Sequence, residues 1–322
     1  MKVYKFGGAS VRHAEGVRNL LNIVRDENEL FIIVSAMGKT TNALERVFGH
    51  MQNGRKEEAN EEIKQIQAYH AEIIDDLWGE HTDINEVTLL FGQLRNIVND
   101  IVYRKADAEL WYDTIVAYGE LISTTIISKY LNHTNIRNRW IDMRTTFLTN
   151  QRHKDAYVDI KASKHRLRAA LENTGVGVFV GQGFIGGAPD GTTTTLGREG
   201  SDYSAAVVAN ILGAKNLRLF SFYMPKDEDP TPYKNAVIDR MGTFLEVAKG
   251  SGVVLCHENE KGIYGENAPR CLAIHKAVPR LKAVFDPANF VQCGQDVMEA
   301  WEMLSPYVEY CHIKDAAPDG HI

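Results

Sequence analysis

The sequence has 322 residues, of which 44% are hydrophobic and 24% charged, and its formal net charge is −6. This composition is ordinary for a globular protein, and the negative charge without a long basic run argues against a nucleic-acid partner. Because no apolar run approaches about 18 residues and the N-terminus has no apolar signal core, we expect no membrane association, no secretion and a cytoplasmic location.

Cysteine and proline are unevenly distributed along the chain. All four cysteines follow residue 255, and eight of the nine prolines follow residue 224. The cysteines have no CxxC spacing, so we interpret them as reduced thiols packed in the fold. The change in composition indicates two regions of different origin.

The first two thirds of the chain alternate predicted strands with predicted helices. The strands are expected at 1–6, 29–36, 136–143 and 176–184. The helices are expected at 14–25, within 42–80, and at 87–105, 108–131 and 202–212. This alternation predicts a layered α/β fold with a mostly parallel sheet.

The last third has a shorter and more regular rhythm. Strands are expected at 217–222, 252–258, 281–287 and 308–315, separated by helices at 232–249, 268–277 and 294–304. Four strands and three helices make half of the repeat pattern of a (β/α) barrel. The sequence therefore predicts two domains, 1–215 and 216–322, with the boundary between about 212 and 217.

Near the N-terminus, a short motif combines a basic side chain with two glycines. “YKFGGAS” puts Lys5 at the end of a strand, followed by Gly7, Gly8 and Ser10. Glycines let backbone amides approach a phosphate, and a lysine neutralises its charge. An ordinary strand-to-helix turn would explain the motif equally well.

Two further motifs place polar side chains after a strand or on a helix. “VSAMGKTTNAL” puts Ser35 and Thr41 after the second apolar strand, where α/β folds bind ligands, although capping of a helix by Thr40 or Thr41 is the alternative. “AYGELIST” puts Glu120 on a helix among apolar neighbours. A glutamate in that position is more often half-exposed than functional.

The stretch richest in candidate functional residues is “VGQGFIGGAPDGTTTTLGREGSDYSAA”. Its glycines match GxGxxG, but we expect a loop and not a helix at Gly186, so we reject a dinucleotide site. The loop leads to Arg198, Ser201 and Asp202 at the start of a predicted helix. Ser201 or Asp202 can cap that helix, its N-terminal amides favour an anion, and Arg198 can hold a carboxylate.

In order and spacing, these motifs resemble the aspartate kinases of the amino acid kinase superfamily. “KFGGAS”, “VSAMGKTTNAL”, “GELIS” and “GFIGGAPDGTTTTLGREGSDYSAA” carry the resemblance across residues 1 to about 215. It implies a three-layer amino acid kinase-like sheet, present here in part. It also implies ATP-dependent phosphorylation of the β-carboxylate of L-aspartate, with Mg²⁺ accompanying ATP.

The same resemblance implies roles for individual residues. The catalytic residues would be Lys5 and Asp202, with Lys5 stabilising the transferred charge. The residues facing the phosphates would be Lys5, Gly7, Gly8 and Ser10. The residues shaping the aspartate site would be Ser35, Thr41, Glu120, Arg198 and Ser201.

Residues from about 213 onward resemble the sugar phosphate isomerases and epimerases of the xylose isomerase-like TIM-barrel group. “VVLCHENEKGIYG”, “AVFDPANF” and “YVEYCHIKDA” carry this resemblance. It implies a divalent metal such as Mn²⁺, Mg²⁺ or Co²⁺ bound by Glu258, Asp286 and His312, each near the end of a predicted strand. The fourth ligand of that family, a glutamate of the last strand, and the first half of its barrel are not recognised in the sequence.

Three interpretations of the whole chain stay open. One is an aspartate kinase, although the segments that hold the nucleotide in that family are not recognised after residue 212. The second is a metal-dependent isomerase or epimerase fragment, and the third is an inactive chimera. Both folds would be incomplete, so we expect exposed sheet edges that favour loose packing or a homo-oligomer.

Overall fold

The computed structural model describes residues 1–80, 82–100, 103–197, 199–225, 228–250 and 252–313. The chain divides into two compact units, Met1–Leu212 and the residues from Gly213 onward. Among the described residues, no helix combines the length and the apolar character that a membrane crossing requires.

The first unit is built on a four-stranded parallel sheet. Its strands are β1 (Lys2–Phe6), β2 (Leu30–Val34), β3 (Asn138–Ile141) and β4 (Val178–Gln182), in the order β1-β2-β4-β3. Every residue of β2 and β4 is buried, as expected for parallel strands covered on both faces. The register aligns Lys5 with Ile33 and Ile33 with Gly181, so the carboxyl ends of β1, β2 and β4 lie side by side.

Nine described helices accompany this sheet. They are α1 (Ala14–Val24), α2 (Thr40–Gln52), α3 (Lys56–Trp78), α4 (Asn85–Asp100), α5 (Ala108–Val116), α6 (Tyr118–His133), α7 (Met143–Thr146), α8 (Ile160–Leu171) and α9 (Gly200–Leu212), with a 3₁₀ turn at Lys105–Asp107. In α1 the buried Ala14, Val17, Leu21 and Val24 recur at the spacing of one helical face. By contrast, α6 is buried on nearly all sides.

The glycine- and threonine-rich stretch forms a hairpin, so the expectation of a loop there was wrong. Its strands are β5 (Ile185–Gly187) and β6 (Thr193–Thr195), which pair antiparallel. A Cβ on Gly187 would lie 2.0 Å from the Arg144 carbonyl oxygen, so glycine permits this close packing of backbones. The β-branched threonines favour the extended conformation of β6.

Other differences from the predicted elements are local. The single helix predicted at 108–131 is interrupted at Ala117 and forms α5 and α6. Helix α8 was not predicted, although its N-cap Asp159, which accepts a hydrogen bond from the Ala162 N–H at 2.9 Å, was a usable signal. Capping of α2 by Thr40 or Thr41 was wrong, because the N-cap is Lys39 and the Thr40 hydroxyl donates to the Met37 carbonyl.

The second unit contains a parallel sheet whose strands follow one another in chain order. The strands are β7 (Asn216–Leu219), β8 (Val254–Glu258), β9 (Lys282–Phe285) and β10 (Val308–Cys311). The helices are α10 (Lys234–Val247), α11 (Ala268–Ala277), α12 (Pro287–Gln292) and α13 (Val297–Leu304), with 3₁₀ turns at Thr231–Tyr233 and Ser305–Tyr307. The described residues thus form the predicted four-stranded part of a (β/α) barrel without closing it.

The four cysteines of this unit are free thiols. Cys256 and Cys271 are buried, as expected, and burial raises the pKa of Cys256 to about 12. Cys293 is half-buried and Cys311 is exposed. The interpretation that all four thiols are packed in the fold was therefore wrong for Cys311, which lies on β10.

Candidate functional sites

The carboxyl ends of β1, β2 and β4 gather most of the predicted residues of the first unit. The Ser35 N–H donates to the Phe6 carbonyl at 3.1 Å, and the Gly183 N–H donates to the Val34 carbonyl at 2.9 Å. These bonds continue the strand pairing past the strand ends. They bring the motifs that contain Lys5, Ser35 and Gly183 to one edge of the sheet, where α/β proteins bind ligands.

Lys5 and Asp202 form an ion pair across the long sequence separation between them. Lys5 is in β1, and Asp202 is in the first turn of α9. The Lys5 ammonium lies 3.1 Å from Asp202 Oδ1 and 3.2 Å from Oδ2. The Asp202 side chain is 62% exposed and that of Lys5 27%, so a ligand can reach both.

The glycines after Lys5 form a tight cradle of backbone. A Cβ on Gly8 would lie 2.4 Å from the Ala36 carbonyl oxygen, so no larger residue fits there. The Gly38 N–H donates to the Gly8 carbonyl at 2.9 Å, and Gly38 has a φ of 56°, a conformation that glycine adopts readily. A Cβ on Gly7 would lie 3.6 Å from the Lys5 Nζ, and backbone without a Cβ beside an ammonium group fits the phosphates of a nucleotide.

Glu120 is buried, so the expectation from its helix pattern alone that it would be half-exposed was wrong. Its Oε1 accepts a hydrogen bond from the Ala36 N–H at 3.0 Å, and its Oε2 has no hydrogen-bond partner among the described residues. Burial raises the pKa of Glu120 to about 8. Gly119 permits this approach, since a Cβ there would lie 2.8 Å from the Ala36 Cβ.

Ser123 of α6, which was not among the predicted site residues, supports the same edge of the sheet. The Ser123 hydroxyl donates to the Ser35 carbonyl at 2.9 Å. It thereby fixes the backbone next to the Glu120–Ala36 contact. The motif “GELIS” contains both Glu120 and Ser123. Because residues three positions apart lie on the same face of a helix, this spacing could have indicated that Ser123 lies beside Glu120.

Ser201 packs directly against the end of β4. A Cβ on Gly183 would lie 2.5 Å from Ser201 Oγ, so glycine is required for this contact. Thr41 is half-buried in the first turn of α2, and Ser10 is exposed in the turn after Gly8. The Ser10 N–H donates to the Gly7 carbonyl at 3.0 Å, whereas neither the Ser10 nor the Thr41 side chain has a described hydrogen bond to the other predicted residues.

Arg198 lies outside the described residues. We use the name strand-end cluster for the predicted residues that surround this edge of the sheet, namely Lys5, Ser35, Glu120, Ser201 and Asp202.

The second unit brings together the three residues predicted as metal ligands. Glu258 ends β8, while Asp286 and His312 directly follow β9 and β10. His312 Nδ1 lies 2.8 Å from Glu258 Oε1 and 3.5 Å from Asp286 Oδ2, and one ligand atom from each residue lies within 4.8 Å of the others. Both carboxylates are buried, and two carboxylates with an imidazole fit a divalent ion such as Mn²⁺, Mg²⁺ or Co²⁺.

Arg218 of β7, which was not among the predicted site residues, also contacts Glu258 and His312. Its guanidinium donates a hydrogen bond to Glu258 Oε2 and lies 3.4 Å from His312 Nδ1. Burial alone would raise the pKa of Glu258, but the His312 contact and the Arg218 charge outweigh it and hold this pKa below its ordinary value. The sequence feature that could have indicated this role is a charged residue between the two leucines of the strand “NLRLF”.

Two asparagines form hydrogen bonds with the backbone and the side chain of Asp286. The Asn259 amide accepts from the Asp286 N–H at 3.0 Å and donates to the Asp286 carbonyl at 2.8 Å. The Asn289 N–H donates to Asp286 Oδ1 at 3.0 Å. Such outer contacts orient a ligand before a metal binds.

Comparison with known proteins identifies two families in this one chain. The amino acid kinase family model matches residues 1–222, and the xylose isomerase-like TIM barrel model matches residues 143–321. The two matches overlap at 143–222, most of which lies in the first compact unit.

The most similar proteins include several aspartokinases. Lysine-sensitive aspartokinase 3 of Escherichia coli is 30% identical over 221 residues, which are 68% of this chain and 48% of the relative. An aspartokinase of Chlamydia trachomatis is 27% identical over 262 residues, 80% of this chain and 57% of the relative. The chain therefore spans about half the length of the curated relatives it matches.

A solved structure agrees with this relationship. Aspartokinase III of E. coli, crystallised with lysine and aspartate, superposes with a TM-score of 0.61 at 28% identity, covering 69% of this chain and 49% of that one. The N-terminal unit thus shares the fold of the matched half of that enzyme. The chain belongs to the amino acid kinase family through its N-terminal residues and to the xylose isomerase-like TIM barrel family through its C-terminal residues.

Proposed function

We propose that the N-terminal unit phosphorylates the β-carboxylate of L-aspartate with ATP. The observation that carries this proposal is the strand-end cluster, in which the Lys5–Asp202 pair lies at the same sheet edge as the buried Glu120, with the glycines that follow Lys5 beside it. Support comes from the relatives, which are named aspartokinases, and from an E. coli aspartokinase III structure in complex with aspartate and ADP.

In this proposal, an oxygen of the aspartate β-carboxylate attacks the γ-phosphorus of ATP. The bond from that phosphorus to the ADP oxygen breaks, and the products are an acyl phosphate and ADP. Lys5 stabilises the negative charge on the transferred group, and the amides near Gly7 and Gly8, with Ser10, hold the phosphates. Mg²⁺ bound with ATP would supply further positive charge at the phosphates.

The acceptor would be held on the other side of the cluster. Glu120 Oε2, which has no described partner, would accept a hydrogen bond from the α-ammonium of aspartate. The other residues proposed to shape this side are Ser35, Thr41, Arg198 and Ser201. Asp202 holds the Lys5 ammonium in place through its two short contacts.

The test is a hydroxamate assay, in which hydroxylamine traps the acyl phosphate as aspartyl hydroxamate. We expect product that depends on both ATP and L-aspartate. A chain that shows a cooperative thermal transition but makes no hydroxamate would contradict the proposal.

A second candidate function rests on Glu258, Asp286 and His312. We propose that these residues bind a divalent metal in a site of the sugar phosphate isomerase or epimerase type, where the ion would polarise a hydroxy-ketone. Two buried carboxylates in contact with an imidazole support this proposal.

Metal titration tests that site without a sugar substrate. We expect Glu258→Gln to weaken Mn²⁺ binding by at least about 100-fold, because it removes a charged ligand at the centre of the group. Glu266→Gln is the matched control, since Glu266 is paired with Arg270 and is not one of the three residues. Equal Mn²⁺ affinity in the Glu258 variant and the unmodified chain, measured by calorimetry, would refute the site. A folded chain that fails both this titration and the hydroxamate assay would support an inactive chimera.

A further inference from the structure

A buried carboxylate outside the strand-end cluster joins three segments of the first unit. The Asp113 side chain, in α5, is completely buried. Its Oδ1 accepts a hydrogen bond from the Thr195 hydroxyl at 2.6 Å, and its Oδ2 lies 2.8 Å from His153 Nδ1. The Lys154 N–H donates to both oxygens, at 3.1 and 3.0 Å. Asp113 therefore ties β6 and the loop at 153–154 to α5.

The elements held by Asp113 lead directly into the strand-end cluster. Helix α5 runs into α6, which carries Glu120, and β6 leads through a short loop to α9, which carries Ser201. The Leu196 N–H, just after β6, also donates to the Phe184 carbonyl at 2.8 Å. Asp113 thus fixes the hairpin relative to the helix that presents Glu120.

The loop partner of Asp113 has an uncommon backbone conformation. Lys154 has a φ of 66°, in the left-handed region that non-glycine residues seldom adopt. Such a conformation persists only where neighbouring contacts fix it. Here the N–H contact with Asp113 and the position of the Lys154 ammonium, 4.5 Å from the Tyr112 ring centroid, supply those contacts.

We infer that Asp113 is a positioning residue for the acceptor side of the site, holding the β5–β6 hairpin and the start of α9 at a set distance from Glu120. This inference rests on the proposed aspartate phosphorylation. A buried carboxylate is a costly way to gain stability, because apolar side chains of similar volume often stabilise a fold at least as well. What directed hydrogen bonds add is a fixed geometry between the segments that they join.

Thr195→Val tests the hydrogen bond between the Thr195 hydroxyl and Asp113. Valine has nearly the same shape as threonine, but a methyl group replaces the hydroxyl that joins β6 to Asp113. We expect the KM for aspartate to rise about tenfold, as for the loss of one hydrogen bond to a charged group, while the KM for ATP stays unchanged. Thr194→Val is the matched control, because the Thr194 hydroxyl lies 2.7 Å from that of Thr149 and has no described hydrogen bond to α5.

Hydrogen exchange of the chain without ligands provides a readout that is independent of activity. The Ala156 N–H, which donates to the Thr195 carbonyl at 2.9 Å, and the Leu196 N–H should exchange faster in Thr195→Val than in Thr194→Val. Equal exchange in the two variants, or an equal rise of both KM values in Thr195→Val, overturns the positioning role. If the unmodified chain makes no aspartyl hydroxamate, the proposed function fails, and the exchange rates alone decide whether Asp113 holds the hairpin.

Discussion

Replacement of Lys5 by methionine is expected to lower the rate of aspartate phosphorylation by about 100- to 1000-fold. The Lys5 ammonium lies 3.6 Å from the position that a Cβ on Gly7 would take. Methionine keeps the apolar stem of lysine and removes its charge. Because the lost interaction acts on charge that develops during transfer, kcat should fall much more than the affinity for aspartate. Hydroxamate formation and calorimetric titration with aspartate measure the two effects separately.

Lys2→Met is the matched control for this variant. Lys2 lies in the same strand and also forms an ion pair, with Glu27 at 2.7 Å, but its side chain is 62% exposed and has no described hydrogen bond or ion pair with the cluster. Its replacement should leave kcat unchanged. An equal loss of activity in both variants would show that Lys5 acts through strand stability and not through the phosphoryl group.

Glu120→Gln is expected to stabilise the first unit at neutral pH and to weaken aspartate binding about 10- to 100-fold. Glutamine can still accept the hydrogen bond from the Ala36 N–H, so the packing of α6 against β2 is retained. It cannot carry the negative charge that would pair with the α-ammonium of aspartate. One substitution should therefore change stability and binding in opposite directions.

The pH dependence of stability follows from the raised pKa of Glu120. Burial moves this pKa from 4.5 to about 8, so between these values the folded chain keeps a proton that the unfolded chain releases. The contribution of this group to the free energy of unfolding is therefore largest below pH 4.5. It falls by about 1.4 kcal/mol per pH unit as the pH rises towards 8. Thermal melts should show the advantage of Glu120→Gln growing across this interval.

Aspartate binding should show the complementary trend. If the ammonium group pairs with ionised Glu120, the affinity of the unmodified chain rises up to about tenfold per pH unit between pH 6 and 8 and then levels off. The Glu120→Gln variant should lack this dependence. Glu58→Gln, which changes an exposed glutamate of α3 that has no described side-chain hydrogen bond, should affect neither stability nor binding. Parallel pH profiles in the Glu120 variant and the unmodified chain would contradict the assigned role.

Much of the local structure followed from the sequence, because it depends on short-range patterns. The continuous apolar run at 29–36 predicted the buried strand β2, and the regular rhythm after residue 213 predicted four consecutive parallel strands. Helix α11 begins and ends where its pattern predicts. The hairpin at β5–β6 was missed because glycine-rich sequence is compatible with a loop until another backbone, here that of Arg144, packs against it.

The sequence alone determined the types of the candidate site residues and their order along the chain, and it predicted the change from a kinase-like to a barrel-like pattern near residue 213. Only the tertiary structure decided which of these residues meet. The Lys5–Asp202 pair, separated by 197 positions, depends on β1, β2 and β4 lying in register and on α9 starting beside them. The burial that raises the pKa of Glu120, and the contacts of Asp113 and Arg218, likewise come from packing between distant segments. Local patterns specify helices and strands, but the distance and the dielectric environment between two side chains are set only when the whole unit has folded.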